Sequence, residues 1–290
     1  MPSGQRDESP YGGKMKLDFE IKEIPKQAAV VFVGEHHYSP VMPVLTKHFL
    51  GGFIDGELQA VLTLGWGTQP KATIKKLFPD LDNQDYYEIG KMCLLDELPR
   101  NSETQFLSSV IKWMKMNLPK IKFLYTLADG IMGKPGYVYQ AASFLYGGYF
   151  KTSVYRSSTG EKIHPRTSNK LCEENARFLK KPPGKRVFWL THDFMETKGI
   201  EKYNGLMYRY IFPLNRRGKR IIKNESTVEW SKNYPKGKDL KFWKMMGKGV
   251  YEETDMPIFN YDIIVQNKKN GPHIKTNRNS TLERFFEGNE

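Results

Sequence analysis

The chain has 290 residues, 39% hydrophobic and 13% aromatic, which is enough apolar material for a sizeable core and excludes wholesale disorder. Its formal net charge of +13 is unevenly placed: residues 1–150 carry 16 basic and 16 acidic side chains, residues 151–290 carry 29 and 16. A neutral first half joined to a basic second half points to a polyanionic partner, nucleic acid before an anionic membrane.

In chain order, residues 1–15 lack an apolar h-region and read as a disordered leader, not a secretory signal. The β-branched run AVVFV (29–33) reads as a strand ending at Gly34, followed by GEHHYSP. HFLGGFIDGELQAVLTLGWG reads as a hairpin turning at Asp55-Gly56. ATIKKLFP predicts a two-turn helix, and YYEIGKMCLL (86–95) a buried strand. Phe106, Leu107, Val110, Ile111, Met114 and Leu118 share one helical face; Ser102 and Gln105 form a capping-box signature at its start, and Pro119 ends it. KFLYTLA (122–128) predicts a strand closed by Asp129-Gly130, and YVYQAASFLYGG (137–148) a helix ended by a Gly pair. Residues 86–150 thus alternate strand and helix as an α/β unit. Farther on, NKLCEENARFL predicts a short helix and MYRYIFPL (207–214) a strand, and the chain beyond about residue 250 reads as loop-rich. No run of about 18 apolar residues exists to span a membrane. Two cysteines, Cys93 and Cys172, argue against a disulfide scaffold or a Cys-based zinc site and for a reducing compartment.

Several residues carry possible chemistry, each with a plainer structural role beside it. The LLDELPRNSETQ junction offers a helix N-terminus and Arg100 to an anion, or is simply a well-capped helix. His36 and His37 follow a predicted strand, so they point to opposite faces and at most one serves as a general base at a given site. Asp129 ends a strand, where open α/β sheets place ligands, although Asp-Gly is also ordinary turn chemistry. Tyr139 and Tyr146, seven apart, share a helix face, as proton donors or as core. Residues 202–248 carry 13 Lys and Arg against three acids, interleaved with Tyr, Phe and Trp. Cations neutralise phosphates and aromatics stack on bases, so this stretch is expected to bind nucleic acid through Arg209, Arg216, Arg217 and Lys219, and through Arg220, Trp230, Lys232 and Lys236. The plainer alternative is a solvated basic face over an aromatic core.

The ordered blocks EIGKMCLLDELPRNSET, YTLADG and GKPGYVYQAASFLYGGY, with HHYSP and LTLGWGTQP before them and YRYIFPLNRR and WSKNYPK after, resemble the phage Mom-type DNA-modification proteins, placed in the GNAT N-acetyltransferase superfamily. The resemblance covers roughly residues 30–240. The usual GNAT pyrophosphate loop, rich in glycine, is replaced by PRNSET, a departure the Mom-type proteins share. The resemblance implies an α/β (α+β) fold with a GNAT-like mixed central sheet flanked by helices. It also implies conversion of DNA adenine to N6-(carbamoylmethyl)adenine, protecting phage DNA from host restriction. One of His36 and His37, together with Lys91, Asp129 and Tyr139, falls on the active site it implies; Asn101, Ser102 and Thr104 fall on the coenzyme-phosphate loop, with Arg100 and Tyr146 expected beside the cofactor. Lys91 replaces the family's usual arginine, a point charge for a planar fork. The expected cofactor is acetyl-CoA or a related CoA thioester, with any metal requirement open; the expected partner is double-stranded DNA, in the cytoplasm of the infected cell. The organisation expected is a catalytic domain over 16–250, its DNA-contacting part at about 151–250, and an extension over 251–290. A conventional N-acetyltransferase and a non-catalytic DNA-binding protein are the competing readings.

Overall fold

The structure, a computed structural model, describes residues 16–37, 42–67, 69–163 and 169–260. The leader (1–15), most of the C-terminal extension and the YSP of HHYSP lie outside the described residues. Ten strands form one sheet: β1 (Glu20–Glu23), β2 (Thr46–Ile54), β3 (Glu57–Gly65), β4 (Tyr86–Leu94), β5 (Phe123–Asp129), β6 (Leu145–Arg156), β7 (Lys162–Ile163), β8 (Glu201–Pro213), β9 (Phe242–Gly247) and β10 (Val250–Thr254). The main order is β1-β2-β3-β4-β5-β8-β6-β7, with β9 and β10 branching from β8. Every pairing is antiparallel except β4 with β5. The expected mixed sheet flanked by helices is therefore present, and β8 of the basic half lies directly against β5 of the neutral half.

The helices are α1 (Lys26–His36), α2 (Ile74–Leu77), α3 (Ser102–Asn117), α4 (Tyr137–Ala141), α5 (Asn169–Phe178), α6 (His192–Thr197) and α7 (Arg216–Asn224). On one face of the sheet, Phe106, Leu107, Val110, Ile111 and Met114 of α3 pack on Leu62 and Leu64 of β3, Leu124 of β5 and Tyr208 and Tyr210 of β8. Burying each such side chain stabilises the fold by about 1.5–3 kcal/mol, so the predicted α3 face is a main organiser of the core. The other face is covered by α1 at one end and by α2 and α7 at the other.

The hairpin reading holds: Asp55 (φ 52°) and Gly56 (φ 83°) both take the left-handed backbone that a two-residue primed turn requires. Residues 29–33 are not a strand but the middle of α1. Ala28, Ala29, Phe32 and Val33 are buried together, a helical spacing, against Phe53, Leu58 and Val61. The β-branched valines cost a few tenths of a kcal/mol each in helix propensity, which this burial outweighs. The capping box at Ser102 is not formed. Asn101, at φ 72°, occupies the N-cap position, the Ser102 hydroxyl donates to the Pro99 carbonyl, and Gln105 Oε1 accepts from the Leu17 N–H at 2.8 Å. The helix expected over 137–148 stops at Ala141, because Ser143 (φ 63°) turns the chain into β6. The Gly pair then sits in a β-bulge between Tyr146 and Tyr149; a Cβ on Gly147 would lie 2.2 Å from the Trp230 ring. Helix α2 has one turn instead of two.

Candidate active site

Strands β4 and β5 pair only at Tyr86–Phe123, Tyr87–Leu124 and Glu88–Tyr125. Beyond that, β4 continues beside β3 to Leu94 and β5 continues beside β8 to Asp129. A cavity of about 440 Å³ lies between the parted strands, lined by Ile89–Met92 on one side and Leu127–Asp129 on the other. A register shift between Thr63 and Leu64 leaves Gly90 as an extra residue in β4, a bulge that re-aims Lys91. No larger residue fits there, since a Cβ on Gly90 would lie 2.9 Å from Pro43 and 3.0 Å from Thr63.

His37, Lys91, Asp129 and Tyr139 all line this cavity. His37 is the C-cap of α1, its N–H donating to the Val33 carbonyl at 3.0 Å. The adjacent His36 ends the helix with its ring 4.8 Å from that of Phe32. The pair is therefore set by a helix end, not by the alternation of a strand. Tyr139 stands on α4 with its ring 5.6 Å from Tyr210 and 5.5 Å from Phe144; burial pushes its phenol up in pKa, while a hydrogen bond with Thr126 pulls it down. Asp129 Oδ1 is buried without a hydrogen-bond partner among the described residues. Burial raises the Asp129 pKa, opposed by Lys162, Lys134 and Lys91. Lys91 is held down to about 8, by burial first and Lys162 second, with Asp129 and Cys93 opposing. Lys91 and Lys134 line this cavity together with Asp129 and Glu103, and Lys162 adds a further positive field at Asp129.

That value has a measurable consequence. Activity should decline as pH rises through about 8, because the buried ammonium of Lys91 is then lost. Lys91→Arg keeps its charge across this range, so its pH–rate profile should lack that alkaline decline. An unchanged decline would assign it to another group.

A second lobe of about 350 Å³ is lined by the 94–103 loop, including Arg100, Asn101 and Ser102, with His36 opposite. It shares His37, Met92, Glu103 and Lys134 with the first lobe, so the two form one cleft. The Asn101 side chain makes no capping hydrogen bond to α3, and its backbone is left-handed, so Asn101 does here what a glycine does elsewhere. These features fit an anion such as a coenzyme phosphate, although Asp96 and Glu103 also line the lobe. Ser102, only 2% exposed and turned onto Pro99, shapes the turn and does not present its hydroxyl. Thr104 lines neither lobe. Tyr146 also lines neither; it is on β6, paired through its backbone with Ser231, and so does not share a helix face with Tyr139.

Sequence reasoning missed Lys134, Lys162 and Glu103. Lys134 follows Asp129 in a Gly-Lys-Pro-Gly loop at a strand's C-terminal end, a legible signal; Lys162 has none, because only the β6–β7 pairing brings it in. Of the expected DNA contacts, Arg216, Lys219, Trp230 and Lys232 line a separate groove of about 750 Å³ at the other end of β5. Arg217 and Arg220 are exposed on α7, and Lys236 is exposed near Tyr137, whose hydroxyl accepts the neighbouring Gly237 N–H at 3.0 Å. Arg209 is engaged within the protein, donating to the Gly147 carbonyl at 3.2 Å and lying 5.2 Å from the Phe150 ring centroid.

A mixed sheet whose parallel strands part over a two-lobed cleft, one lobe suited to an anion and the other carrying titratable groups, has the layout of a transferase. Residues 18–236 match the Mom protein family, and the chain belongs to that family. It is 29% identical over 215 residues to the methylcarbamoylase Mom of Escherichia phage Mu, covering 74% of this chain and 82% of that protein. Among solved structures, it is similar to a GNAT-family acetyltransferase from Streptococcus pneumoniae (9% identity, TM-score 0.34, 68% of this chain and all of that one). A second is a tandem GNAT protein from the clavulanic acid biosynthesis pathway (7% identity, TM-score 0.32, 87% of each chain).

Proposed function

We propose that this protein converts adenine in phage DNA to N6-(carbamoylmethyl)adenine within the host cell, shielding that DNA from restriction endonucleases. The observation that carries the reading is the convergence of His37, Lys91, Asp129 and Tyr139 on one cavity in a chain of the Mom family. The exocyclic N6 is a poor nucleophile because its lone pair is delocalised into the ring, so reaction there needs a base and a rigidly placed electrophile. His37 takes the N6 proton, Asp129 charges the site opposite the lysines around it, and Tyr139 donates a hydrogen bond. Lys91 supplies a point charge for developing negative charge. The N6 atom sits inside a stacked duplex, so the adenine is extruded to reach the cleft.

The 94–103 lobe is the place for a CoA thioester, its phosphates at Arg100 and the uncapped start of α3. When bound, such a thioester would supply an activated two-carbon unit. Plain acyl transfer from acetyl-CoA leaves an N-acetyl group, whereas the carbamoylmethyl product has an N–CH2 bond, so the donor chemistry goes beyond simple acetylation.

Nucleoside mass spectrometry tests the function directly. DNA from cells expressing the protein should contain a deoxyadenosine in which one hydrogen is replaced by CH2CONH2. Unmodified deoxyadenosine alone, with soluble protein present, would refute it. Acetyl-CoA turnover without DNA would identify a conventional acetyltransferase instead.

A further inference from the structure

Apart from the catalytic cleft, the structure has a groove of about 750 Å³ beside α7. Helix α7 buries Gly218, Ile221 and Ile222 and turns Arg216, Lys219 and Lys223 into this groove at i, i+3 and i+7. Two contacts fix its position. Asn215 accepts the Gly218 N–H at 2.9 Å and donates to the Ile121 carbonyl at 3.1 Å, and Gly218 sits so close to the Lys122 carbonyl that a Cβ would lie 2.0 Å from it. Helix α7 is thus moored to the chain just before β5, whereas Asp129 ends that strand. Lys115 and Lys232 add to the groove's positive charge, and Glu229 is its one acidic lining residue. Arg216, Lys219 and Lys223 are exposed, and none has an ion-pair partner among the described residues.

Groove and cleft are also joined along the surface. The segment from Ser231 to Gly237 is hydrogen-bonded to α4, to β6 and to the turn between them. Ser231 pairs with Tyr146, Tyr234 Oη donates to the Phe144 carbonyl at 2.8 Å, Gln140 Nε2 donates to the Pro235 carbonyl at 3.0 Å, and the Gly237 N–H reaches Tyr137 at the cleft. Lys232, Lys236 and Lys238 are exposed along it. A fixed, positively charged strap therefore leads from the groove to the mouth of the cleft.

Resting on the proposed function, we infer that the α7 groove is a remote clamp for the DNA phosphate backbone, engaging the duplex away from the adenine in the cleft. The seven residues of β5 separate the two sites by about 20 Å at ~3.3 Å per residue. Duplex DNA rises ~3.4 Å per base pair, so the clamp meets phosphates about six base pairs from the target. The clamp holds substrate without touching the reacting atoms, so it acts on KM and not on kcat.

The test compares duplexes of about 24 and about 8 base pairs carrying one target adenine, with modification and binding measured separately. The long duplex should show a KM at least ~10-fold lower at the same kcat, and the triple variant Arg216→Ser/Lys219→Ser/Lys223→Ser should lose that advantage. Its binding to the long duplex should also lose salt dependence, by about 0.9 in log–log slope for each phosphate contact removed. Equal KM values for the two lengths, or an equal loss by the variant on both, would overturn the clamp. If neither duplex is modified, the functional reading fails; binding of the long duplex by wild type and variant then still decides the clamp.

Discussion

Replacing Asp129 by Asn should lower the rate of adenine modification by at least ~100-fold without destabilising the protein. The two halves of that expectation have one origin. Asp129 Oδ1 is buried without a hydrogen-bond partner among the described residues, and burial raises the carboxyl's pKa despite Lys162, Lys134 and Lys91. A raised pKa means the folded state binds the proton more tightly than the unfolded chain does. The ionised side chain therefore works against folding, and stability falls as pH rises from the unfolded value of 3.8 through the higher folded one. Asparagine keeps the shape and removes that cost, so the melting temperature at neutral pH should stay level or rise. A carboxylate held against stability is the pattern expected of a group kept for its chemistry. Asp129 also holds the Lys91 pKa up, so any residual activity of the variant should decline at a lower pH than in wild type. Near-normal modification by Asp129→Asn would remove Asp129 from the mechanism; a melting temperature several degrees lower would show that it serves to tie the lysines together.

How much of this could be read from the sequence depended on how far each cause lay along the chain. The β2–β3 hairpin needs only Asp55-Gly56 and its alternating flanks, and α3 needs only its apolar spacing; both were legible. Helix α1 was not, because a five-residue apolar run has no period of its own, and its helical state follows from packing on Phe53, Leu58 and Val61. The turn after Ala141 was hidden in YVYQAASFLYGG, which has no glycine or proline before its end; the decisive residue is Ser143 in a left-handed conformation rather than either glycine. In α7, the sequence RRGKRIIKN shows charge but no obvious apolar stripe, because a buried glycine contributes a third of its inner face. The site divides in the same way. His37, Lys91, Asp129 and Tyr139 lie in blocks that carry the family resemblance, and the cavity contains all four. Lys162 reaches Asp129 only through the β6–β7 pairing, and nothing near it in the sequence announces that.

The two adjacent histidines should separate sharply. His37 lines both lobes of the cleft, at the point where a donor in the 94–103 lobe and an acceptor between β4 and β5 would meet; His36 lines only the 94–103 lobe. The His36 ring lies beside Phe32, 3.8 Å from Glu35, and its side chain is 38% exposed, a setting that leaves it outside the reacting pair. His37→Ala should therefore lower kcat by ~100-fold or more, the usual scale for losing a general base, while His36→Ala should change it by less than about 5-fold. A second readout separates proton transfer from packing. Removing the His37 side chain opens space at the junction, so added imidazole should restore part of the lost rate, and the restoration should grow with imidazole concentration until that space is filled. An effect due only to packing would respond equally to a non-basic ring of the same size. If His36→Ala shows the larger loss, or if imidazole restores nothing to His37→Ala, the base lies elsewhere in the cleft, and Asp129 is then the group whose buried, partnerless oxygen is best placed to take the N6 proton.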